Sequence, residues 1–302
     1  MRFELGVCSC VSCSETFTGP GGVTELVIPQ LRYENTGKNS GGEYSAQVSQ
    51  REHFDQWSSD SELSYEDFKE KPHSVVVEEV IFRYLQKRTE RSGWLLDAAC
   101  GPGDFALRMA EAGHYVAGFD ISRESILRAM RKAEERGLSD RVCFFVADLH
   151  EPPVCENSWD CVLTIGALHH VPDPKQSCIR IQSALKPGGF HFFSENNKSF
   201  VRPVFDLMMK LWPLWHEEAG SHNVISKRDI IDWHRGMDVE TDFFYSMFVP
   251  PHLETLVGGN LKSLVSVTDK VFGQMPWVCR LGGFIHGSVK KLSCGRDLVE
   301  ES

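Results

Sequence analysis

No stretch of the 302-residue chain stays apolar over the roughly 20 residues that a membrane-crossing helix needs, so no transmembrane segment is expected. The opening residues, Met1 to Cys8, hold no apolar run of signal-peptide length. Positive charge is also short. The 32 Lys and Arg face 42 Asp and Glu, a formal net charge of −10. That excess of negative charge argues against nucleic acid as a main partner. The small basic cluster Arg128-x-x-Arg131-Lys132 fits one solvated helix face. Ten cysteines are too sparse for a secreted disulfide framework, and Cys100, Cys143, Cys161 and Cys178 sit in apolar stretches. They point to a reducing compartment, and a cytoplasmic location is expected. Internal repeats and long low-complexity segments are missing too. The composition, 41% hydrophobic and 25% charged, is that of an ordinary globular chain.

What the chain does have is one organising stretch, Trp94-Leu-Leu-Asp-Ala-Ala-Cys-Gly-Pro-Gly-Asp-Phe-Ala106. An apolar run ending in a carboxylate reads as a buried parallel strand. The Gly101-Pro-Gly103 turn follows, then a helical pattern to about Ala112 that stops at Gly113. Strand, glycine turn and helix open a nucleotide-binding α/β unit, because glycine lets the backbone approach a ligand and the helix N-terminus offers free N–H groups. Alone, Gly101-x-Gly103-x-x-Ala106 also fits a dinucleotide fingerprint or a turn that binds nothing.

Residues 1–50 are loop-like and read as a flexible or disordered tail. Their Cys8-x-Cys10-x-x-Cys13 lacks a fourth ligand nearby, so no metal is expected. Residues 51–92 hold a polar stretch with aromatic punctuation (His53, Phe54, Trp57, Tyr65, Phe68) that reads as a flap. An amphipathic helix follows, with Val77, Val80, Ile81, Tyr84 and Leu85 on one face, placed to pack on the sheet edge. The domain proper spans 93–292, with strands at 94–98, 115–119, 142–146, 159–165 and 190–194. The intervening helices start at Ser122 and Asp173, and Lys186-Pro-Gly-Gly189 ends the second of these. Such alternation implies a doubly wound α/β sheet with right-handed crossovers. Residues 197–225 and 247–280 break the rhythm as insertions, 283–291 suits a last strand, and 293–302 is a tail.

Acidic and glycine features end successive strands: Asp97, Asp120, Asp148 and Thr164-Ile-Gly166. In an open α/β sheet, ligands bind outside those carboxyl ends. These residues resemble the class I S-adenosylmethionine-dependent methyltransferases of the small-molecule and quinone branch. The similarity runs through Leu95–Gly103, Gly118-Phe-Asp-Ile-Ser122, Ala147-Asp148-Leu149, Leu168-His-His-Val171 and Leu185-Lys-Pro-Gly-Gly189. The resemblance implies a Rossmann-like, mostly parallel seven-stranded sheet whose last strand is antiparallel. It also implies S-adenosyl-L-methionine as cofactor, held by Asp97, Ala99, Gly101, Gly103, Asp120, Ile121, Asp148, Leu149 and Ile165. A nicotinamide oxidoreductase and a methyltransferase-like binding protein without turnover are the alternatives.

Methyl transfer from a sulfonium is an in-line displacement, so alignment and desolvation come first. Where the acceptor must lose a proton, His169, His170 and Glu195 are the candidate catalytic groups. Consecutive side chains point opposite ways, so the two histidines are not equivalent. The acceptor is expected to be a small molecule. Phe200, Phe205, Met208, Met209, Leu211, Trp212 and Trp215 form a cluster with two readings. The bland one is an extra helix pair burying its own core. The sharper one is a lining for a lipophilic acceptor, or a face for peripheral membrane contact.

Overall fold

A computed structural model describes residues 2–4, 7–9, 16–17, 25–26, 45–60, 72–89, 93–212, 224–253 and 261–292. The side chains of Cys8, Cys10 and Cys13, the flap residues Trp57, Tyr65 and Phe68, Trp215, and residues 293–302 lie outside the described set. Seven strands build the main sheet: β1 (Trp94–Ala98), β2 (Tyr115–Asp120), β3 (Val142–Ala147), β4 (Trp159–Ile165), β5 (Leu185–Asn196), β6 (Val239–Ser246) and β7 (Phe284–Lys291). Their spatial order is β6-β7-β5-β4-β1-β2-β3, with β7 antiparallel to both neighbours and the remaining pairs parallel. The order reverses beside β1, which opens a crevice at the carboxyl ends of β1 and β4. An eighth strand of two residues, Glu25–Leu26, pairs with β3 at Val146 and Ala147. It caps an edge whose N–H and C=O groups would otherwise be free, and it comes from the stretch expected to be loop. Farther upstream, Arg2–Glu4, Val7–Ser9 and Thr16–Phe17 pair as a small antiparallel sheet.

Eight helices are described: α1 (Ser45–Asp60), α2 (Pro72–Arg88), α3 (Asp104–Glu111), α4 (Arg123–Glu135), α5 (Pro174–Ala184), α6 (Arg202–Leu211), α7 (Lys227–Trp233) and α8 (Lys262–Phe272). Ser122 caps α4 by accepting from Ser125 N, and Asp173 caps α5 from Gln176 N with Pro174 at its start. Ser226 and Asp229 close a capping box on α7. Pro203 sits in the first turn of α6, where its missing N–H costs nothing, so it opens this helix rather than interrupting it.

Both sheet faces are covered, which is why the strands read as continuous apolar runs. Leu95, Val116, Phe144 and Leu163 face α2, α3 and α4, packed with Ile81, Leu107, Met109 and Ile126. The alternate residues Leu96, Ala98, Phe119, Val162 and Phe193 face α5 and α7, packed with Ile181 and Ile230. Two expectations need correction. Helix α2 packs on the sheet face rather than its edge: the Tyr84 ring lies 5.3 Å from Phe192 and 4.9 Å from Phe244. A wide apolar stripe buries more area against a face than against an edge. Strand β5 also starts earlier than Phe190, at Leu185, because Trp159 pairs with Leu185 across an irregularity in register.

Candidate active site

The turn after β1 is held open by backbone geometry. Ala99, Gly101 and Gly103 all have positive φ, at 64°, 51° and 79°. Cys100 N donates to Phe119 O at 2.8 Å, which ties the turn to β2. The two glycines serve different ends. A Cβ on Gly101 would meet nothing within 4 Å, so this position faces the open crevice. A Cβ on Gly103 would stand 2.8 Å from Ala129 Cβ and 3.0 Å from Phe144, so this glycine lets α3 and α4 close on the sheet. Gly103→Ala is therefore expected to lower stability by about 2–3 kcal/mol through clash and left-handed strain. A chemical denaturation curve checks it, and an unchanged midpoint would contradict the packing role.

Asp120 organises the second turn. Gly101 N donates to Asp120 Oδ2 at 2.8 Å and Ser122 N to Oδ1 at 2.9 Å. Each oxygen keeps a lone pair for a further donor. Burial pushes the Asp120 carboxyl up to about 6, against those two backbone donors. Asp97, 2% exposed, is pushed up to about 7 by burial first and then by the nearby Asp120. Asp148 ends β3, buried and raised above the ordinary carboxylate range by burial; His150 N donates to its Oδ1 at 2.8 Å. Leu149 is buried, whereas Ala99, Ile121 and Ile165 are half-buried at the same sheet edge. The cofactor residues expected from sequence thus lie together at the carboxyl ends of β1 to β4.

The two histidines fall in a short 3₁₀ turn, Leu168–His170, just past β4. His169 is 4% exposed, and its Nδ1 lies 2.6 Å from Glu195 Oε2. Glu195, fully buried on β5, also accepts from Ala167 N at 3.1 Å and Leu168 N at 2.8 Å through Oε1. One carboxylate therefore fixes both the turn and the imidazole, and its oxygens are taken up within the protein. His170 is half-buried; its ring stands edge-on to Phe54 at 5.3 Å.

That contact brings α1 over the crevice. Gln50 Nε2 donates to His170 O at 2.5 Å, and Asp55 Oδ1 accepts from Ser122 Oγ at 2.7 Å and Glu124 N at 3.2 Å. Sequence reasoning placed an aromatic flap here but missed Gln50 and Asp55. The only available signal was a carboxylate in a polar stretch, whose partner lies 67 residues away.

The apolar cluster after β5 is the other difference. Of its described members only Met209 is buried, while Phe200 is 80% and Leu211 77% exposed. Among the described residues the cluster leaves most of its apolar surface uncovered. Val204 and Leu207 on α6 are exposed with it, as are Leu264, Val267 and Val271 on α8. Both helices leave from the sheet edge that carries the crevice. No helix among the described residues is long and apolar enough to cross a membrane.

Residues 95–189 match the family model described as a methyltransferase domain. The chain shares 40% identity over 96 residues with the 27-O-demethylrifamycin SV methyltransferase of Amycolatopsis mediterranei, covering 32% of this chain and 35% of that protein. It shares 34% over 125 residues with a ubiquinone biosynthesis O-methyltransferase of a Shewanella strain, covering 40% and 52%. The chain thus spans about a third to about half of the length of these relatives. Among solved structures, geranyl diphosphate C-methyltransferase from Streptomyces coelicolor superposes with a TM-score of 0.57 at 13% identity, over 82% of this chain and 98% of that one. The [4+2]-cyclase SpnF superposes with a TM-score of 0.51 at 22% identity, over 71% and 80%. The family pattern thus falls on β1 through the start of β5, and the fold around it is shared with these solved structures.

Proposed function

We propose that the protein transfers the methyl group of S-adenosyl-L-methionine to a small, lipophilic acceptor. The observation that carries this reading is the gathering of Asp97, Asp120 and Asp148 around a glycine turn whose Gly101 faces open space. In this reading the cofactor's methionyl end, with its ammonium, lies against the turn and Asp97. Asp120 takes the ribose hydroxyls through the lone pairs its backbone donors leave free. Asp148 meets the adenine amine, and Ile121, Leu149 and Ile165 hold the base between them. The cofactor supplies a methyl group already activated by its sulfonium charge, and the chain aligns it and keeps water out.

The acceptor is read as a hydroxyl, in line with the rifamycin and ubiquinone relatives. The His169–Glu195 pair supports removal of its proton. A carboxylate that accepts from Nδ1–H leaves Nε2 as the basic atom, held in one orientation. Helix α1 covers the crevice through Phe54 and Asp55, and entry of cofactor and acceptor requires it to move. The exposed apolar faces of α6 and α8 support a lipophilic acceptor and peripheral contact with a membrane, from which such a molecule is drawn.

The test is incubation of the full chain with methyl-labelled cofactor and an extract of hydroxylated quinones, polyketides and lipids. Label in a small lipophilic product is expected. Cofactor bound with no labelled product from any fraction would favour the second reading, a binding protein without methyl turnover; the SpnF likeness shows that this fold is not tied to one chemistry. Asp120→Ala provides a separate check on the cofactor. It is expected to cost about 2–3 kcal/mol of binding with the fold kept. Calorimetry showing unchanged affinity for S-adenosylhomocysteine would remove Asp120 from the ribose site.

A further inference from the structure

On the sheet face covered by α5 and α7, well inside the domain, three soft or borderline donors converge. Cys178 comes from α5, His191 from β5, and His234 from the residue that ends α7. All three are buried, at 0%, 0% and 3% exposure. One donor atom from each lies within 4.8 Å of the other two. From these observations we propose that Cys178, His191 and His234 form a buried zinc site.

The hydrogen bonds on the far side of each ring carry the argument. His234 Nδ1 lies 2.8 Å from Ile230 O. A carbonyl only accepts, so Nδ1 carries the proton and Nε2 is a bare lone pair. His191 Nε2 lies 2.8 Å from Thr164 Oγ1. With that hydroxyl accepting, His191 Nδ1 is the lone pair. These two remaining nitrogens, His191 Nδ1 and His234 Nε2, are buried with no hydrogen-bond partner. A buried polar atom left without a partner is unfavourable, and here two stand beside one thiol. A histidine oriented by a carbonyl or hydroxyl at one nitrogen and bare at the other is the arrangement found around metal-binding imidazoles.

Donor type selects the ion. Two imidazoles and a thiolate suit zinc, whereas calcium and magnesium take oxygen. Zinc with one thiolate and two neutral imidazoles carries a single positive charge. Bonds of about 2.0–2.3 Å draw the three donors closer together, and a water molecule takes the fourth position. The ion ties α5 and α7 to the sheet. The site is independent of the methyl-transfer reading.

The experiment uses the full chain with Cys8, Cys10 and Cys13 changed to Ser, so that the N-terminal thiols cannot contribute. Zinc content and the cobalt-substituted spectrum are measured. One equivalent of metal, a thiolate-to-cobalt charge-transfer band and a rise in Tm on adding zinc are expected. Cys178→Ser and His234→Ala should each lose the band and the zinc-dependent rise, with circular dichroism unchanged. Should either variant fail to fold, zinc-edge X-ray absorption of the parent decides, with one sulfur and two imidazole nitrogens expected. No bound metal, a band that survives both substitutions, or a shell of several sulfurs or of oxygens alone overturns the proposal.

Discussion

His169→Ala is expected to lower turnover by a factor of roughly 10²–10⁴ while cofactor affinity stays within a few-fold. The reason is positional. His169 Nδ1 is fixed 2.6 Å from Glu195 Oε2, and the same carboxylate holds the turn through Ala167 N and Leu168 N. Removing the imidazole deletes the proposed base and leaves the buried Glu195 carboxylate without its partner. Glu195→Gln separates orientation from charge. The amide keeps the volume but cannot stabilise an imidazolium, so turnover should fall by roughly 10–10² with a shifted pH profile. His170→Ala should act differently, since that ring stands against Phe54 of α1. Its effect should fall on KM and on the closure of α1 rather than on the chemical step. Steady-state kinetics on the true acceptor decide. Near-full turnover in both His169→Ala and Glu195→Gln would mean that an already acidic acceptor needs no base.

The second large effect is on pH dependence. The Asp97 carboxyl is raised to about 7 by burial and by Asp120, so the folded chain holds its proton more tightly than the unfolded chain does. Where the folded state binds more protons, stability falls as pH rises. With respect to this group the ligand-free protein should therefore be most stable below about pH 4, the ordinary carboxylate value. It should lose a few kcal/mol between there and about pH 7, with the loss complete above the folded pKa. Asp120, raised to about 6, adds to the same slope. A bound ammonium reverses the balance by favouring the ionised carboxylate, so affinity for S-adenosylhomocysteine should rise with pH across the same window. Asp97→Asn should flatten the stability slope and raise ligand-free stability at pH 8. It should also cut cofactor affinity by roughly 10–10². Melting curves from pH 5 to 8, with and without ligand, measure both effects. A flat profile in the parent would show that Asp97 is ionised throughout.

The sequence by itself determined the local machinery. Trp94–Ala98, the glycine turn and α3 are contiguous, and their chemistry is set by backbone conformation that neighbouring residues fix. The same holds for Asp120 and Asp148. Each follows an apolar run, so each must emerge at the carboxyl end of a parallel strand. Caps at Ser122 and Asp173 were legible for the same reason, as their partners lie three residues away.

Tertiary structure alone decided what depends on distant pairs. That His169 rather than His170 is the buried ring follows from Glu195, 26 residues on and one strand over. The cover formed by α1 rests on Asp55 reaching Ser122 and Phe54 reaching His170, contacts that no periodicity encodes. The exposure of Phe200 and Leu211 shows the converse. Composition marks residues as apolar, but only packing says whether another surface covers them. Cys178, His191 and His234 have no motif spacing at all. Strand pairing between β4 and β5 and the return of α7 to the same sheet face bring them together, and that placement is set by the summed burial of the whole layer rather than by any short stretch of chain.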